Sequence, residues 1–268
     1  MRPVTMDHRH VPGSWRCAMR IRMLWAVLAC LVPVAANAAT PPPAKNVVLV
    51  HGAFADGSSW AKVIPLLEAK GLHVVAVQNP LTSLKDDAAA ATRAIEQADG
   101  PVVLVGHSWG GAVISEAGNN PKVRSLVYVA AFAPDNGQSL NDVQKGLAPP
   151  VWASVLKKDA GGFLTLPADT VAQHFAQDLP AADARLIAAT QGPWFAGCLA
   201  DKVSTAAWHN KPVWYVLASD DHMIAPSLQA SMAKHINAKV TTVKASHVPM
   251  LSHPAEVAAA IEQAASGN

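Results

Sequence analysis

The sequence predicts an α/β fold: a doubly wound, mostly parallel six-stranded sheet covered by helices, with a helical cap inserted before the last two strands. Three observations lead there. Short β-branched runs alternate with longer segments of helical character, the rhythm of strand–helix–strand units. The runs are apolar throughout rather than alternating, as strands covered on both faces are. One run passes directly into a helix through a glycine-flanked turn, Gly106-His107-Ser108-Trp109-Gly110.

In chain order the elements read as follows. Arg20 and Arg22 precede the apolar stretch Met23–Ala36, which ends in Ala36-Asn37-Ala38. A positive flank, a short greasy segment and small residues at its end make a secretory signal over residues 1–38, cleaved after Ala38. The apolar stretch is shorter than the roughly 20 residues a membrane-spanning helix needs. An uncleaved anchor and lipid attachment at Cys30 are the alternatives, although Leu28 fits a lipid signal poorly; the residues before Met19 or Met23 add nothing to a signal, and either methionine is a candidate start. Residues 39–45 carry three consecutive prolines and read as an extended linker. Expected strands are Val47–Val50, His73–Gln78, Val102–Gly106, Ser125–Ala130, Val213–Ala218 and Lys239–Val243. Expected helices are Ser59–Lys70, Asp86–Ala98, Trp109–Asn119, Ser227–His235 and Pro254–Ala265. These define a core of 46–133 and 212–268. The interval 134–211 shows no convincing strand, is too long for a plain loop, and reads as a helical cap above the carboxyl ends of the strands, where open α/β sheets hold ligands.

Composition narrows the function. The 268 residues are 51% apolar and 15% charged, with a formal charge of +2, enough for a large packed core and too few charges for disorder. Without residues 1–38 the chain loses five arginines and one aspartate and its charge becomes −2, so no basic face for nucleic acid is expected. No membrane association is expected once the signal is gone. Cys17 and Cys30 leave with it, and Cys198 then has no disulfide partner within the chain. Neither H-E-x-x-H nor Cys/His pairs occur, so no metal and no cofactor is expected.

The chemistry centres on Ser108. Between a strand and a helix, G-x-S-x-G forms a turn so tight that Gly106 and Gly110 have no room for side chains, and it lifts the serine hydroxyl above the sheet. A serine hydroxyl is a weak nucleophile at neutral pH and needs a base that is itself held by a third group. Both partners are expected at the carboxyl ends of later strands. The run Lys239–Val243 leads to His247, the expected base, and Val213–Ala218 leads to Asp220 and Asp221, which compete for the acid role. His73, His174, His209, His235 and His253 read as surface or satisfied core residues. Two backbone amides must hold the oxyanion of the tetrahedral intermediate. Trp109 N–H, just after the nucleophile, supplies one; the loop His51-Gly52-Ala53-Phe54 supplies the other, through Ala53 N–H and the backbone freedom of Gly52. Phe54, Trp152, Trp194, Phe195 and Trp208 are candidates for lining the substrate pocket.

Over nearly all of Asn46–Ala265 these motifs resemble the α/β-hydrolase superfamily. The runs His51-Gly52-Ala53, Ser59-Trp60, Pro65-Leu66-Leu67-Glu68 and G-H-S-W-G-G are similar to its methyl esterase and hydroxynitrile lyase branch. Ser219-Asp220-Asp221-His222-Met223-Ile224 resembles that branch's acid turn and selects Asp221, with Asp220 left as a turn or capping residue. His247-Val248-Pro249-Met250-Leu251 resembles its histidine turn. The resemblance implies an apolar pocket under the cap and small aromatic or terpenoid esters as substrates. The lyases carry a lysine after the base and a threonine in the first loop; Val248 and Ala53 stand at those places here, which implies an esterase rather than a lyase. Ser108 excludes the aspartate-nucleophile chemistry of dehalogenases and epoxide hydrolases.

The expectation is therefore a periplasmic or secreted serine carboxylesterase for small, largely apolar esters. Lactone, amide and perhydrolysis chemistry would use the same apparatus, and a hydrolase-like ligand receptor with slow turnover is the alternative of a different class.

Overall fold

The computed structural model describes residues 43–267; the expected signal and most of the linker lie outside them. Among the described residues nine strands form two sheets. The main sheet contains β1 (Asn46–Val50), β2 (His73–Val77), β3 (Val102–His107), β4 (Val123–Val129), β8 (Val213–Ala218) and β9 (Lys239–Val243), all parallel, in the order β2-β1-β3-β4-β8-β9. β5 (Lys157–Lys158), β6 (Phe163–Thr165) and β7 (Trp194–Phe195) form a small antiparallel sheet.

Burial follows position in the sheet. β1, β3 and β8 are buried at every residue, whereas the edge strand β2 exposes His73 and Val75 and the edge strand β9 exposes Lys239, Val240 and Thr242. Central strands therefore read as unbroken Val/Leu runs and edge strands as mixed ones. From β1 the chain crosses to β2 on one side, then returns past β1 to β3 on the other. With right-handed crossovers, that reversal puts the helices Leu84–Gln97 and Gly110–Ala117 on one face and Ile64–Glu68 on the opposite one. The final helix, Pro254–Ser266, packs against Ile64–Glu68. The reversal leaves the loops after β1 and β3 side by side, with Val50 paired to Gly106. Ligands of open α/β sheets bind at such a point.

Local chemistry sets the helix boundaries. Ser83 caps Leu84–Gln97 by accepting a hydrogen bond from Asp86 N–H at 3.0 Å. The expected single helix over Ser59–Lys70 is instead a 3₁₀ turn, Gly57–Trp60, followed by Ile64–Glu68. Pro65 has no N–H to extend an earlier helix and is well placed to begin a new one.

The segment 134–211, expected as a helical cap with no convincing strand, does contain strands. It contains one helix of ten residues, Ala181–Thr190, several short turns, and the whole small sheet. Two of its strands are only two residues long, too short to show any period in sequence. Among the described residues no helix is long and apolar enough to cross a membrane.

The core is centred on β3. Leu104 is fully buried there between neighbouring strands. Leu104→Ala is expected to lower unfolding stability by about 3 kcal/mol, read as a shift of the denaturant midpoint at unchanged slope.

Candidate active site

At the carboxyl end of β3 the chain turns so sharply that Ser108 adopts φ +53°. A side chain on Gly106 would strike the Gly110 carbonyl oxygen, and one on Gly110 would lie 2.6 Å from the Val50 carbonyl oxygen. The expectation that these two positions must be glycine is met on steric grounds. Gly52 is different. Its backbone does not occupy the left-handed region; a Cβ there would stand 2.6 Å from Ser108 Cβ. Space beside the nucleophile, not conformational freedom, demands glycine at 52. The residue in that loop with positive φ is Phe54, at 58°.

The structure brings Ser108, His247 and Asp221 into one hydrogen-bonded line. The distance from His247 Nε2 to Ser108 Oγ is 2.8 Å, and from His247 Nδ1 to Asp221 Oδ2 2.7 Å. The Asp221 carboxylate only accepts, so Nδ1 carries the ring proton and Nε2 is left to accept from the Ser108 hydroxyl. Asp221 Oδ1 accepts from Met223 N–H at 2.7 Å and Ile224 N–H at 3.0 Å, and Oδ2 accepts from the Gln229 amide at 2.7 Å. All three side chains are buried. Asp220, the competitor, is half exposed and lies 3.8 Å from His222. Ala53 and Trp109 line the cavity above Ser108, and neither backbone amide donates to another group among the described residues.

Of the five pocket candidates, Phe54, Trp152 and Trp194 line that cavity and Phe195 and Trp208 do not. Trp194 and Phe195 are successive residues of β7, so their side chains point to opposite faces. Phe195 packs on Phe163, its cross-strand partner, at 5.4 Å. Trp208 is held elsewhere, donating its indole N–H to the Pro134 carbonyl at 2.9 Å and stacking on His209 at 3.8 Å. Sequence reasoning missed Phe132, Leu140, Gln144, Phe175, Leu199, Met223 and Ile224 among the lining residues. Met223 and Ile224 adjoin Asp221 and were within reach of a sequence argument. Phe132, Leu140, Phe175 and Leu199 carry no signal beyond being apolar, and Gln144 carries none.

The alpha/beta hydrolase family matches over residues 47–260. The chain belongs to that family. It is similar to Methylesterase 8 of Arabidopsis thaliana, with 26% identity over 235 residues, 78% of this chain and 85% of that one. It is also similar to a carbendazim hydrolyzing esterase of Nocardioides sp. (strain SG-4G), with 35% identity over 135 residues, 44% of this chain and 53% of that one. Among solved structures, a pyrethroid hydrolase from Sphingobium faniae JZ-2 shares the fold with a TM-score of 0.70 and 22% identity, covering 82% of this chain and 97% of that one. Methylesterases recur among the similar proteins, at 26–28% identity.

Three buried polar groups support the site of this hydrolase, and none was singled out from sequence for that role. Gln229 is fully buried; besides the Asp221 bond, its amide donates to the Ile224 carbonyl at 2.9 Å, and its oxygen accepts from Ala218 N–H at 3.1 Å. It ties the acid turn to β8. His107 Nε2 donates to the His247 carbonyl at 2.8 Å, and the two rings lie 4.7 Å apart. Burial first, then the neighbouring His247, holds the His107 pKa well below the usual imidazole range. Asp87 accepts the Trp109 indole N–H at 2.7 Å and Leu81 N–H at 2.8 Å, bracing the residue that follows the nucleophile. Burial pushes the Asp87 pKa up to about 6.

His51 braces the first loop. Its Nδ1–H donates to the Gly52 carbonyl at 2.9 Å and its Nε2 accepts Asn79 N–H at 2.9 Å, so both nitrogens are used in the neutral ring. Burial lowers its pKa too.

These groups give stability a pH dependence of known sign. His51 and His107 are neutral in the fold and charge more readily when unfolded. Below about pH 6.5, the ordinary imidazole value, each therefore removes up to about 1.4 kcal/mol of stability per pH unit of acidification. Asp87 acts in the opposite sense. Its folded pKa of about 6 lies above its unfolded value of 3.8, so protonation through that window favours the fold. Denaturant titrations between pH 7 and 5 are expected to show falling stability in acid, and Asp87→Asn, which removes the opposing proton uptake, is expected to steepen the fall.

Proposed function

We propose that this hydrolase is a serine carboxylesterase acting on small, largely apolar carboxylic esters outside the cytoplasm. The observation that carries the reading is the continuous line from Ser108 through His247 to Asp221, opening onto an apolar cavity without an Asp, Glu, Lys or Arg in its wall. The relatives, a methylesterase and a carbendazim hydrolyzing esterase, agree with ester hydrolysis. The signal expected over residues 1–38 supports export to the periplasm or beyond.

Each group has a defined part. Ser108 Oγ attacks the ester carbonyl carbon while His247 Nε2 takes the hydroxyl proton. Asp221, already bonded to Nδ1–H, keeps the ring in the tautomer that can accept and offsets the positive charge that forms. The carbonyl oxygen becomes an oxyanion and is held by the Ala53 and Trp109 amides, which have no other acceptor. Collapse of the intermediate breaks the bond to the alcohol oxygen, which takes the proton from His247 and leaves an acyl group on Ser108. Water then repeats the sequence: His247 takes its proton, the hydroxide adds to the acyl carbon, and the acid departs as Ser108 recovers its hydrogen.

Ser108→Ala removes the attacking oxygen and little volume. With p-nitrophenyl acetate its kcat/KM is expected to fall by at least about 10³-fold, while its thermal unfolding remains cooperative. A fluorophosphonate is expected to label the natural protein at Ser108 and leave the variant unlabelled. Undiminished hydrolysis by the variant would overturn the mechanism.

A further inference from the structure

The cavity over Ser108 is small, about 40 Å³, which is room for about three water-sized groups. An ester carbonyl and one or two carbons fill it. Beside it lies a second hollow of about 520 Å³, more than ten times larger. The two share a wall: Gln144, Trp152, Trp194, Leu199, Met223 and Ile224 border both. The outer one continues between segment 141–156 and the start of helix Pro226–His235, past Leu147, Leu156 and Leu228. Neither hollow has an Asp, Glu, Lys or Arg in its lining. Leu147 is 53% exposed, an apolar side chain left facing solvent at the rim.

We propose that the two hollows form one substrate site, in which the chamber at Ser108 holds the short arm of an uncharged ester and the outer groove holds a long apolar arm. Adjacency to the catalytic cavity is what assigns the groove to substrate: the two hollows share six lining residues, so the long arm of an ester whose carbonyl reaches Ser108 has the groove directly beside it. The absence of formal charge in both linings selects against carboxylates, amines and phosphates, because a charge placed there has no partner to offset its desolvation. Substrates with two bulky arms are excluded by the chamber's size. Leu147 and Leu228 act as specificity determinants through their contact with the long arm.

This deepens the esterase reading and rests on it. The test compares kcat/KM, measured by proton release, for methyl acetate through methyl hexanoate, for ethyl through hexyl acetate, and for hexyl butanoate and butyl hexanoate. One of the two single-arm series is expected to gain about two- to fourfold per added methylene, and which series gains shows whether the acyl or the alcohol arm occupies the groove. The two-armed esters are expected to run at least about tenfold below the best single-arm ester of similar length. Leu147→Glu is expected to lower the hexyl-to-short selectivity ratio by about tenfold, and its exposure protects folding; Leu228→Glu provides the same reading from the opposite side. Flat profiles in both series, equal turnover of the two-armed esters, or variants that change sedimentation but not selectivity would overturn the two-chamber site and leave the esterase standing. Failure of every ester together with absence of fluorophosphonate labelling would instead remove the esterase itself.

Discussion

The site depends on one strained residue. Ser108 sits at φ +53°, a conformation that costs a non-glycine residue about 1–2 kcal/mol, and it is held there from every side. Its carbonyl accepts from Gly111 N–H at 3.0 Å and Phe132 N–H at 3.1 Å, and its amide donates to the Val129 carbonyl at 3.3 Å. These bonds tie the turn to the first turn of helix Gly110–Ala117 and to the end of β4. Around it the backbones approach so closely that Gly52, Gly106 and Gly110 have no space for a Cβ. Strain is tolerated because the sheet and two loops over-determine the position, and the result is a hydroxyl raised above the strand ends and backed by helix amides.

Proton placement follows from the same crowding. Each of the three buried imidazoles has at least one nitrogen whose role is dictated by a partner that can only accept or only donate. His247 faces a carboxylate, His107 a carbonyl, and His51 a carbonyl on one side and an amide on the other. None is free to change tautomer without losing a buried hydrogen bond, so the lone pair of His247 is directed at Ser108 before any substrate arrives. His107 shows what this costs. Its Nδ1 is buried without a hydrogen-bond partner among the described residues, while the other nitrogen secures the carbonyl of His247. The insertion contributes as well: Asp178 accepts Ser246 N–H at 2.9 Å and Gln177 donates to the Asp220 carbonyl at 2.6 Å, so the segment that roofs the site also anchors the loops carrying the base and the acid.

Much of this was legible from sequence because it rests on local signals. A buried parallel strand is an apolar run, and the turn at Ser108 announces itself through glycines that sterics require. Asp221 could be told from Asp220 only by resemblance, since adjacent acids in a turn are equivalent in sequence; the structure separates them through the Met223 and Ile224 amides that wrap one and not the other. The insertion was the least legible part. Its strands of two and three residues are held by pairing across long separations, and no window that short carries a period. That is also why Trp194 and Phe195 could not be divided: their faces are defined only once β7 exists. Gln229 illustrates a subtler gap. A polar residue on a surface helix looks ordinary, and only burial against Asp221 reveals that all its hydrogen-bonding capacity is directed inward.

Fold and chemistry are separable here in a physical sense. The turn after β3, the acid turn after β8 and the histidine turn after β9 carry the line from Ser108 through His247 to Asp221, and all three hang on the central sheet. The cavity above Ser108 is lined by a different set of residues, drawn largely from the insertion and from the turn Met223-Ile224. Apart from Gln144, whose amide donates to the Leu140 carbonyl at 3.2 Å, those side chains are apolar, so exchanging one for another of similar volume changes the shape of the space at little cost to the fold. Ser108, His247 and Asp221 have no such latitude, since each is buried and hydrogen-bonded and removing any one leaves a partner unsatisfied. Under the proposed function, a rigid triad beneath a replaceable, largely apolar roof lets substrate preference change while the geometry at Ser108 stays the same.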